Sequence, residues 1–132
     1  MSNIEILIID EDERVHQDLE FLLEREFGAT IHHCYHKDEA IQLCKEKVYS
    51  LVVIDPMLPS SFDGEEYIKN QRQFYSINME TPIIIFTEDI DFVSKIATDF
   101  ALHPESKQGP VSKILNPIKC QLEEHLNIKF AA

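Results

Sequence analysis

The chain has 132 residues, and its 24 acidic against 12 basic residues give a formal net charge of −12 at pH 7. This charge argues against nucleic acid or an anionic membrane as a direct partner, and it favours metal cations and basic protein surfaces. The length suits one domain, and 44% hydrophobic with 27% charged residues is the composition of an ordinary globular protein.

Cysteine usage and the absence of long apolar segments bear on the cellular location. The three cysteines, Cys34, Cys44 and Cys120, are odd in number and form no C-x-x-C pair, which indicates reduced thiols rather than disulfides. No apolar run approaches the roughly 20 residues of a membrane span, and no signal peptide opens the chain. We therefore expect a cytoplasmic protein.

Five short segments have the composition of β-strands, and helical patterns separate them. The strands are predicted at residues 4–9, 30–35, 51–54, 83–86 and 111–115. Leu51–Ile54 is continuously apolar and rich in β-branched residues, as expected of a strand buried on both faces of a parallel sheet. Residues 30–35 alternate with polar residues, which favours the edge of the sheet.

The predicted helices follow from apolar residues at helical spacing and from terminal signals. Gly28 is placed to end the first helix, and Asp38 can cap the second. Gly64 opens a third helix, whose apolar side carries Tyr67, Ile68, Gln71, Phe74 and Tyr75. A fourth helix has an apolar stripe of Phe92, Val93, Ile96, Ala97 and Phe100, and Pro117 suits the first turn of a fifth.

The alternation of strands and helices predicts one α/β domain over residues 1–132. Five βα units imply a doubly wound, flavodoxin-like single parallel sheet with helices on both faces. Right-handed crossovers and a polar edge strand favour the strand order 2-1-3-4-5. That order places the first and third strands side by side.

Acidic and hydroxyl groups stand where three of these strands end. Asp10 and Glu11 follow the first strand, Asp55 follows the third, and Thr87 ends the fourth. Carboxylates at one rim suit Mg²⁺, and an aspartate beside such a cation can take a phosphoryl group. Acids at strand ends also start turns and cap helices, but three such strand ends favour a functional site.

The segments that carry this pattern are IEILIIDED, LVVIDPMLP, IIIFTED and ILNP, and they resemble the receiver domain of two-component response regulators. The resemblance covers the whole chain. It implies that Asp10 and Glu11 are an acidic metal pair and that Asp55 is the phosphoryl acceptor. It further implies that the carbonyl of Met57 is a metal ligand and that Thr87 holds the phosphoryl group.

Some positions depart from the family pattern. Pro59 and Asp63-Gly64 resemble the loop after the acceptor, with one residue inserted. Asn116 stands where the family has the lysine of a Lys-Pro pair, and Lys113 stands where it has a switch aromatic. Glu88 replaces the small residue common after the hydroxyl residue.

The resemblance implies a signalling role rather than an enzyme. A sensor histidine kinase or a phosphotransfer protein would phosphorylate Asp55 in the presence of Mg²⁺. The altered surface would then contact a downstream protein target or a second copy, through the face formed by the fourth helix, fifth strand and fifth helix. Enzymatic activity would be limited to weak self-phosphorylation and self-dephosphorylation.

Two alternatives stay open. The departures at Asn116, Lys113 and Glu88 favour a pseudo-receiver that binds proteins without phosphorylation. An enzyme on the same fold is disfavoured, because Met57 replaces the second aspartate of a haloacid-dehalogenase-like phosphatase. The acidic DEDER turn and the three glycines likewise offer no flavin or phosphate cradle.

Two further features are interpreted as surface elements. His32, His33 and His36 could ligate a metal, but neighbouring residues on a strand point to opposite sides, so an edge-strand surface is favoured. Residues 103–110 form a predicted polar loop, longer than usual, which we hypothesise to influence partner choice unless it is a simple solvated insertion.

Overall fold

A computed structural model describes residues 3–57 and 63–131, with the side chain of residue 63 outside the described part. Over these residues, five strands alternate with five α-helices. The strands are β1 Glu5–Ile9, β2 Thr30–Cys34, β3 Leu51–Ile54, β4 Ile83–Thr87 and β5 Pro104–Ser106. The helices are α1 Glu13–Phe27, α2 Lys37–Glu46, α3 Asp63–Gln71, α4 Ile90–Asp99 and α5 Leu115–Leu126.

The strands form one parallel sheet in the order β2-β1-β3-β4-β5, which confirms the predicted topology. The polar strand β2 lies at one edge, as its alternating pattern indicates. In the centre, β1 and β3 pair with Ile9 opposite Ile54. Their carboxyl ends therefore finish next to each other.

Each face of the sheet packs against its own layer of helices. On one face, β-strand residues such as Leu7, Val52 and Ile85 share a core with α2, α3 and α4. On the other face, alternate strand residues such as Ile8 and Val53 share a core with α1 and α5. The continuous apolar runs of β1, β3 and β4 are explained by this burial on both faces.

Both ends of α1 follow local sequence signals, whereas the predicted starts of α2 and α5 are displaced. Asp12 caps α1 by accepting a hydrogen bond from the backbone N–H of Arg14, and Gly28 ends that helix in the left-handed region at φ 62°. The cap predicted at Asp38 is wrong, because α2 already begins at Lys37 after His36. The N-terminal prediction for Pro117 is also displaced, since α5 begins at Leu115.

The fifth strand lies earlier than residues 111–115, where the sequence pattern placed it. It is the three-residue strand Pro104–Ser106, which pairs with residues 85–87 of β4. Residues 111–114 instead form a 3₁₀ helix that leads into α5. Val111 and Ile114 pack into the core beside α1 and α5, so their spacing belongs to a helical stripe rather than to a strand.

The third helix is shorter than its apolar pattern predicted. It ends at Gln71, and Tyr67, Ile68 and Gln71 are buried. Phe74 and Tyr75 lie beyond it with 87% and 67% of their surface exposed. Over the described residues, no helix is long and apolar enough to cross a membrane.

Candidate functional site

Two buried carboxylates lie next to each other at the carboxyl ends of the central strands. Asp10 follows β1 and Asp55 follows β3, and they are only 2% and 9% exposed. The backbone N–H of Asp55 donates to the carbonyl of Ile9 at 3.0 Å, which continues the pairing of the two strands. The predicted convergence of Asp10 and Asp55 is therefore present in the structure.

A lysine lies between these carboxylates. Nζ of Lys107 is 2.7 Å from Oδ2 of Asp10 and 2.7 Å from Oδ2 of Asp55. The Lys107 backbone N–H donates to the carbonyl of Thr87 at 2.8 Å, so the pairing of β5 with β4 positions this residue. One ammonium group thus balances part of the charge of two buried acids.

The environment shifts the protonation of this trio. Burial raises the pKa of Asp10 above its usual value, and the hydrogen bond from Lys107 opposes that rise. Burial disfavours the charged form of Lys107, but its bonds to the two aspartates prevail and raise its pKa. The lysine accordingly stays cationic at neutral pH.

Backbone donors fix the orientation of both carboxylates. Oδ1 of Asp10 accepts from the N–H of Asp12 at 2.9 Å, and Oδ1 of Asp55 accepts from the N–H of Met57 at 3.0 Å. Each aspartate therefore directs Oδ1 to its own turn and Oδ2 to Lys107. This arrangement leaves little rotational freedom at either side chain.

Thr87 ends the neighbouring strand and is 1% exposed. Its Oγ1 accepts a hydrogen bond from the backbone N–H of Asp89 at 3.2 Å. A hydroxyl that accepts in this way still has its own proton to donate. The threonine thus brings a hydrogen-bond donor to the same end of the sheet.

The turn after Asp55 depends on a glycine. The N–H of Gly64 donates to the carbonyl of Pro56 at 3.1 Å, and a Cβ on Gly64 would lie 2.2 Å from Cα of Pro56. Only glycine permits this close approach. The start of α3 is thereby held against the segment that carries Asp55.

A buried histidine supports the turn that begins at Asp10. His16 of α1 is 1% exposed, and its Nε2 donates to the carbonyl of Asp10 at 2.8 Å. Its Nδ1 is 2.7 Å from Nδ1 of His33, whose Nε2 contacts Glu20. His32 contacts Glu5 instead, so the histidines on β2 act as edge-strand groups on opposite sides.

The prediction that Asn116 occupies the position of the lysine is wrong. Asn116 is an exposed residue of α5 that lines a separate groove, and Lys113 is exposed in the 3₁₀ helix. The error has the same origin as the error in the fifth strand. Asn116-Pro117 comes directly after the predicted strand at residues 111–115, whereas Lys107 comes directly after the actual strand β5. A useful signal was present: two predicted buried carboxylates require a cation, and Lys107 is the first lysine after the fourth helix.

The other predicted site residues are placed as follows. Glu11 and Glu88 are exposed. Pro59 lies outside the described residues, as does the side chain of Asp63. Within residues 3–57 and 63–131, no three His, Cys, Asp or Glu side chains are grouped so as to hold a metal. The buried carboxylate oxygens of Asp10 and Asp55 are hard ligands of the kind that Mg²⁺ prefers.

A cavity of about 280 Å³ opens beside the site. Its walls include Lys107, Phe86, Arg14 and Glu88, so it reaches the lysine from solvent. Nζ of Lys107 also lies 6.0 Å from the ring centre of Phe86. A reacting group can therefore approach the buried trio from this side.

A doubly wound parallel sheet with an aspartate pair, a lysine and a threonine at its carboxyl end defines the class of flavodoxin-like receiver domains. The model of the response regulator receiver domain family matches residues 6–102, and the chain belongs to that family. This match includes Asp10, Asp55 and Thr87, whereas Lys107 lies beyond it.

Known relatives agree with the assignment. The transcriptional regulatory protein SrrA of Staphylococcus aureus is 32% identical over 120 residues, which cover 86% of this chain and 47% of SrrA. The chain thus spans about half the length of the curated relatives that it matches.

Solved structures show the same fold. The receiver domain of an HD domain-containing protein from Pseudomonas fluorescens is 25% identical, with a TM-score of 0.80 over 96% of this chain and 92% of that one. The receiver domain of the sensor histidine kinase PA1611 from Pseudomonas aeruginosa is 16% identical, with a TM-score of 0.74 over 92% of this chain and 98% of that one. That structure has a magnesium ion in its active site cleft.

Proposed function

We propose that this receiver domain accepts a phosphoryl group on Asp55 from a phosphohistidine of a sensor histidine kinase or phosphotransfer protein. The observation that carries the proposal is the trio of Asp10, Asp55 and Lys107, joined by two contacts of 2.7 Å. Receiver domains act in two-component signalling as phosphoacceptors, and this chain has the buried aspartate and the cation that such chemistry needs.

In the proposed transfer, an oxygen of the Asp55 carboxylate forms the new O–P bond as the N–P bond of the phosphohistidine breaks. The imidazole of the donor keeps the electron pair of that bond. Lys107 stays near the reacting oxygens and offsets negative charge on the phosphoryl group as it moves. The Thr87 hydroxyl donates to a phosphoryl oxygen once the group is in place.

Mg²⁺ is the proposed cofactor, and it would neutralise phosphoryl oxygens in the transition state. Asp10 and Asp55 would hold it, with Glu11 and the carbonyl of Met57 as the further ligands that the family resemblance implies. The buried carboxylates fit a hard divalent cation. The contact with Lys107 also ensures that the buried charge of Asp10 is paired.

The pseudo-receiver alternative loses its main support, because it depended on a neutral Asn116 at the position that Lys107 takes. Glu88 is still an acidic departure beside the site. The downstream target, a homodimer through α4, β5 and α5, and a cytoplasmic location stay predictions.

Intact-mass spectrometry after incubation with a small phosphodonor and Mg²⁺ tests the proposal. We expect one added phosphoryl group on the wild type and none on Asp55→Asn. Asp89→Asn is the matched control, because it removes a carboxylate from the same end of the sheet without touching the trio. An adduct that persists in Asp55→Asn contradicts the assignment, and no adduct in the wild type supports the pseudo-receiver.

A further inference from the structure

The α3–β4 loop, residues 72–82, exposes four large apolar side chains. Phe74, Tyr75, Ile77 and Met79 are 87%, 67%, 51% and 38% exposed. This loop lies at the amino end of the parallel sheet, opposite Asp55, because it leads from a helix into a strand. Single exposed apolar residues are ordinary, but a cluster of this kind marks a contact surface.

Buried polar bonds hold this loop in one conformation. The guanidinium of Arg72 donates to the carbonyls of Met79 and Thr81 at 3.0 and 2.9 Å. The buried side chain of Asn78 bonds Tyr49, Cys44 and Lys47 through their backbone groups. The apolar side chains are therefore presented by an ordered backbone, which lowers the entropic cost of binding.

A groove adjoins the loop. It has a volume of about 630 Å³ and lies between the end of α4, the start of β4 and one side of α5. Arg72 and Glu80, which bracket the exposed apolar residues, also line it. Its apolar walls include Pro82, Ile83, Phe100 and Leu102, and α5 contributes the exposed Cys120.

One molecule thus carries a protruding apolar segment and, next to it, a groove with apolar walls. Two copies related by a twofold axis can each insert the segment into the groove of the other. We propose that a second copy of this chain occupies the groove, with Phe74 and Tyr75 as the inserted side chains. The resulting dimer leaves the Asp55 site free at the far end of each sheet.

The area of the contact fits a second copy. Three basic groups beside the loop make contacts within the molecule: Lys47 pairs with Glu5, Lys69 pairs with Glu65, and Arg72 binds loop carbonyls. Phe74 and Tyr75 are 87% and 67% exposed, so the four inserted side chains of a dimer bring roughly 600 Å² to the contact before the groove walls are counted. The groove walls that they cover add a comparable area, so the total reaches the roughly 1,000 Å² expected of a genuine interface.

The net charge predicts how this dimer responds to salt. Each copy carries −12, so two copies repel each other at low ionic strength. Salt screens this repulsion and leaves the apolar contact intact. The dimer is therefore favoured by added salt, whereas a complex with an oppositely charged partner is weakened by it.

Sedimentation equilibrium over a concentration series tests the proposal with two variants that change exposed residues. Phe74→Ser removes the inserted side chain, and Cys120→Arg fills the groove. We expect a salt-strengthened dimer in the wild type, and a dissociation constant at least ~30-fold higher in either variant. The matched controls are Phe21→Ser on α1 and Phe92→Ser on α4, which should dimerise like the wild type.

Mixing the two variants provides the sharpest outcome. A mixed pair keeps one intact contact, because the Cys120→Arg copy supplies Phe74 and the Phe74→Ser copy supplies an open groove. The mixture should therefore associate more tightly than either variant alone. The proposal is overturned by a wild type that stays monomeric at all concentrations, by a mixture that does not associate, or by a dimer that is lost in Phe92→Ser instead.

Discussion

At the carboxyl end of the sheet Lys107 holds two buried charges together, whereas at the amino end Asn78 joins separate backbone segments with neutral bonds. Asn78 bonds Cys44, Lys47 and Tyr49 at 2.8–2.9 Å, and its Oδ1 also accepts from the hydroxyl of Thr81. Both ends thus contain a buried polar side chain that connects distant parts of the sequence.

The two ends differ in what this burial does to stability. Neutral hydrogen bonds satisfy backbone groups that would otherwise be buried without partners, so Asn78 stabilises the fold. Buried carboxylates lose the favourable free energy of hydration, and the contact with one lysine compensates for only part of that loss. The raised pKa of Asp10 is the sign of this incomplete compensation. The polar contacts at the amino end therefore stabilise the fold, whereas the carboxyl end keeps the charges that the proposed phosphoryl transfer requires.

The largest expected effect is at the amino end, in Asn78→Ala. The substitution removes the side-chain partner of two carbonyls and one N–H, and we expect a loss of about 4 kcal/mol in the free energy of unfolding. Urea denaturation measures this change. Asn116→Ala, on the surface of α5, is the control and should stay within about 0.5 kcal/mol of the wild type. Equal losses of stability in Asn78→Ala and Asn116→Ala would contradict the stabilising role of Asn78.

At the carboxyl end, Lys107→Met should reduce the free energy of unfolding by about 3 kcal/mol at neutral pH without Mg²⁺. Asp10 and Asp55 then face each other without a cation. Saturating Mg²⁺ should recover more stability in this variant than in the wild type, because the ion supplies the missing positive charge. Lys113→Met, an exposed lysine, is the control in the same melts. A wild-type-like metal response in Lys107→Met would contradict this account of the trio.

A smaller effect is expected in the pH dependence of stability. The pKa of Asp10 is raised in the folded state, chiefly by burial, so the folded protein binds this proton more tightly than the unfolded chain. The contribution is present at low pH and is lost as pH rises from the unfolded pKa through the raised folded pKa. The melting temperature of the wild type, relative to Asp10→Asn, should therefore fall as pH rises from about 4 towards neutrality. Parallel pH curves for the two proteins would show that Asp10 ionises without penalty.

The smallest effect concerns Asn116→Lys. Since Asn116 lies on α5 beside the groove, a lysine there does not reach the carboxylates that Lys107 contacts. The rise in melting temperature caused by Mg²⁺ should equal that of the wild type. A smaller rise in Asn116→Lys than in the wild type would indicate that residue 116 lies close to Asp10 and Asp55.

The sequence was sufficient for most of the fold because its signals there are strong. Continuous apolar runs in β1, β3 and β4, together with the polar β2, predicted the sheet order, and the strand ends located Asp10 and Asp55. It failed at β5, because an edge strand of three polar or proline residues has no apolar pattern to detect. The same failure hid Lys107. The exposure of Phe74 was also missed, because its spacing continues the pattern of α3 beyond the actual end of that helix.

The central claim is that Asp55 and Lys107 form the phosphoryl-accepting pair, and the rate of adduct formation tests it most directly. Intact mass is followed over time with a small phosphodonor and saturating Mg²⁺ in the wild type, Asp55→Asn, Lys107→Met and Lys113→Met. We expect no adduct in Asp55→Asn, a rate reduced by about 100-fold in Lys107→Met, and an unchanged rate in Lys113→Met. An unreduced rate in Lys107→Met, or an adduct in Asp55→Asn, would contradict the account.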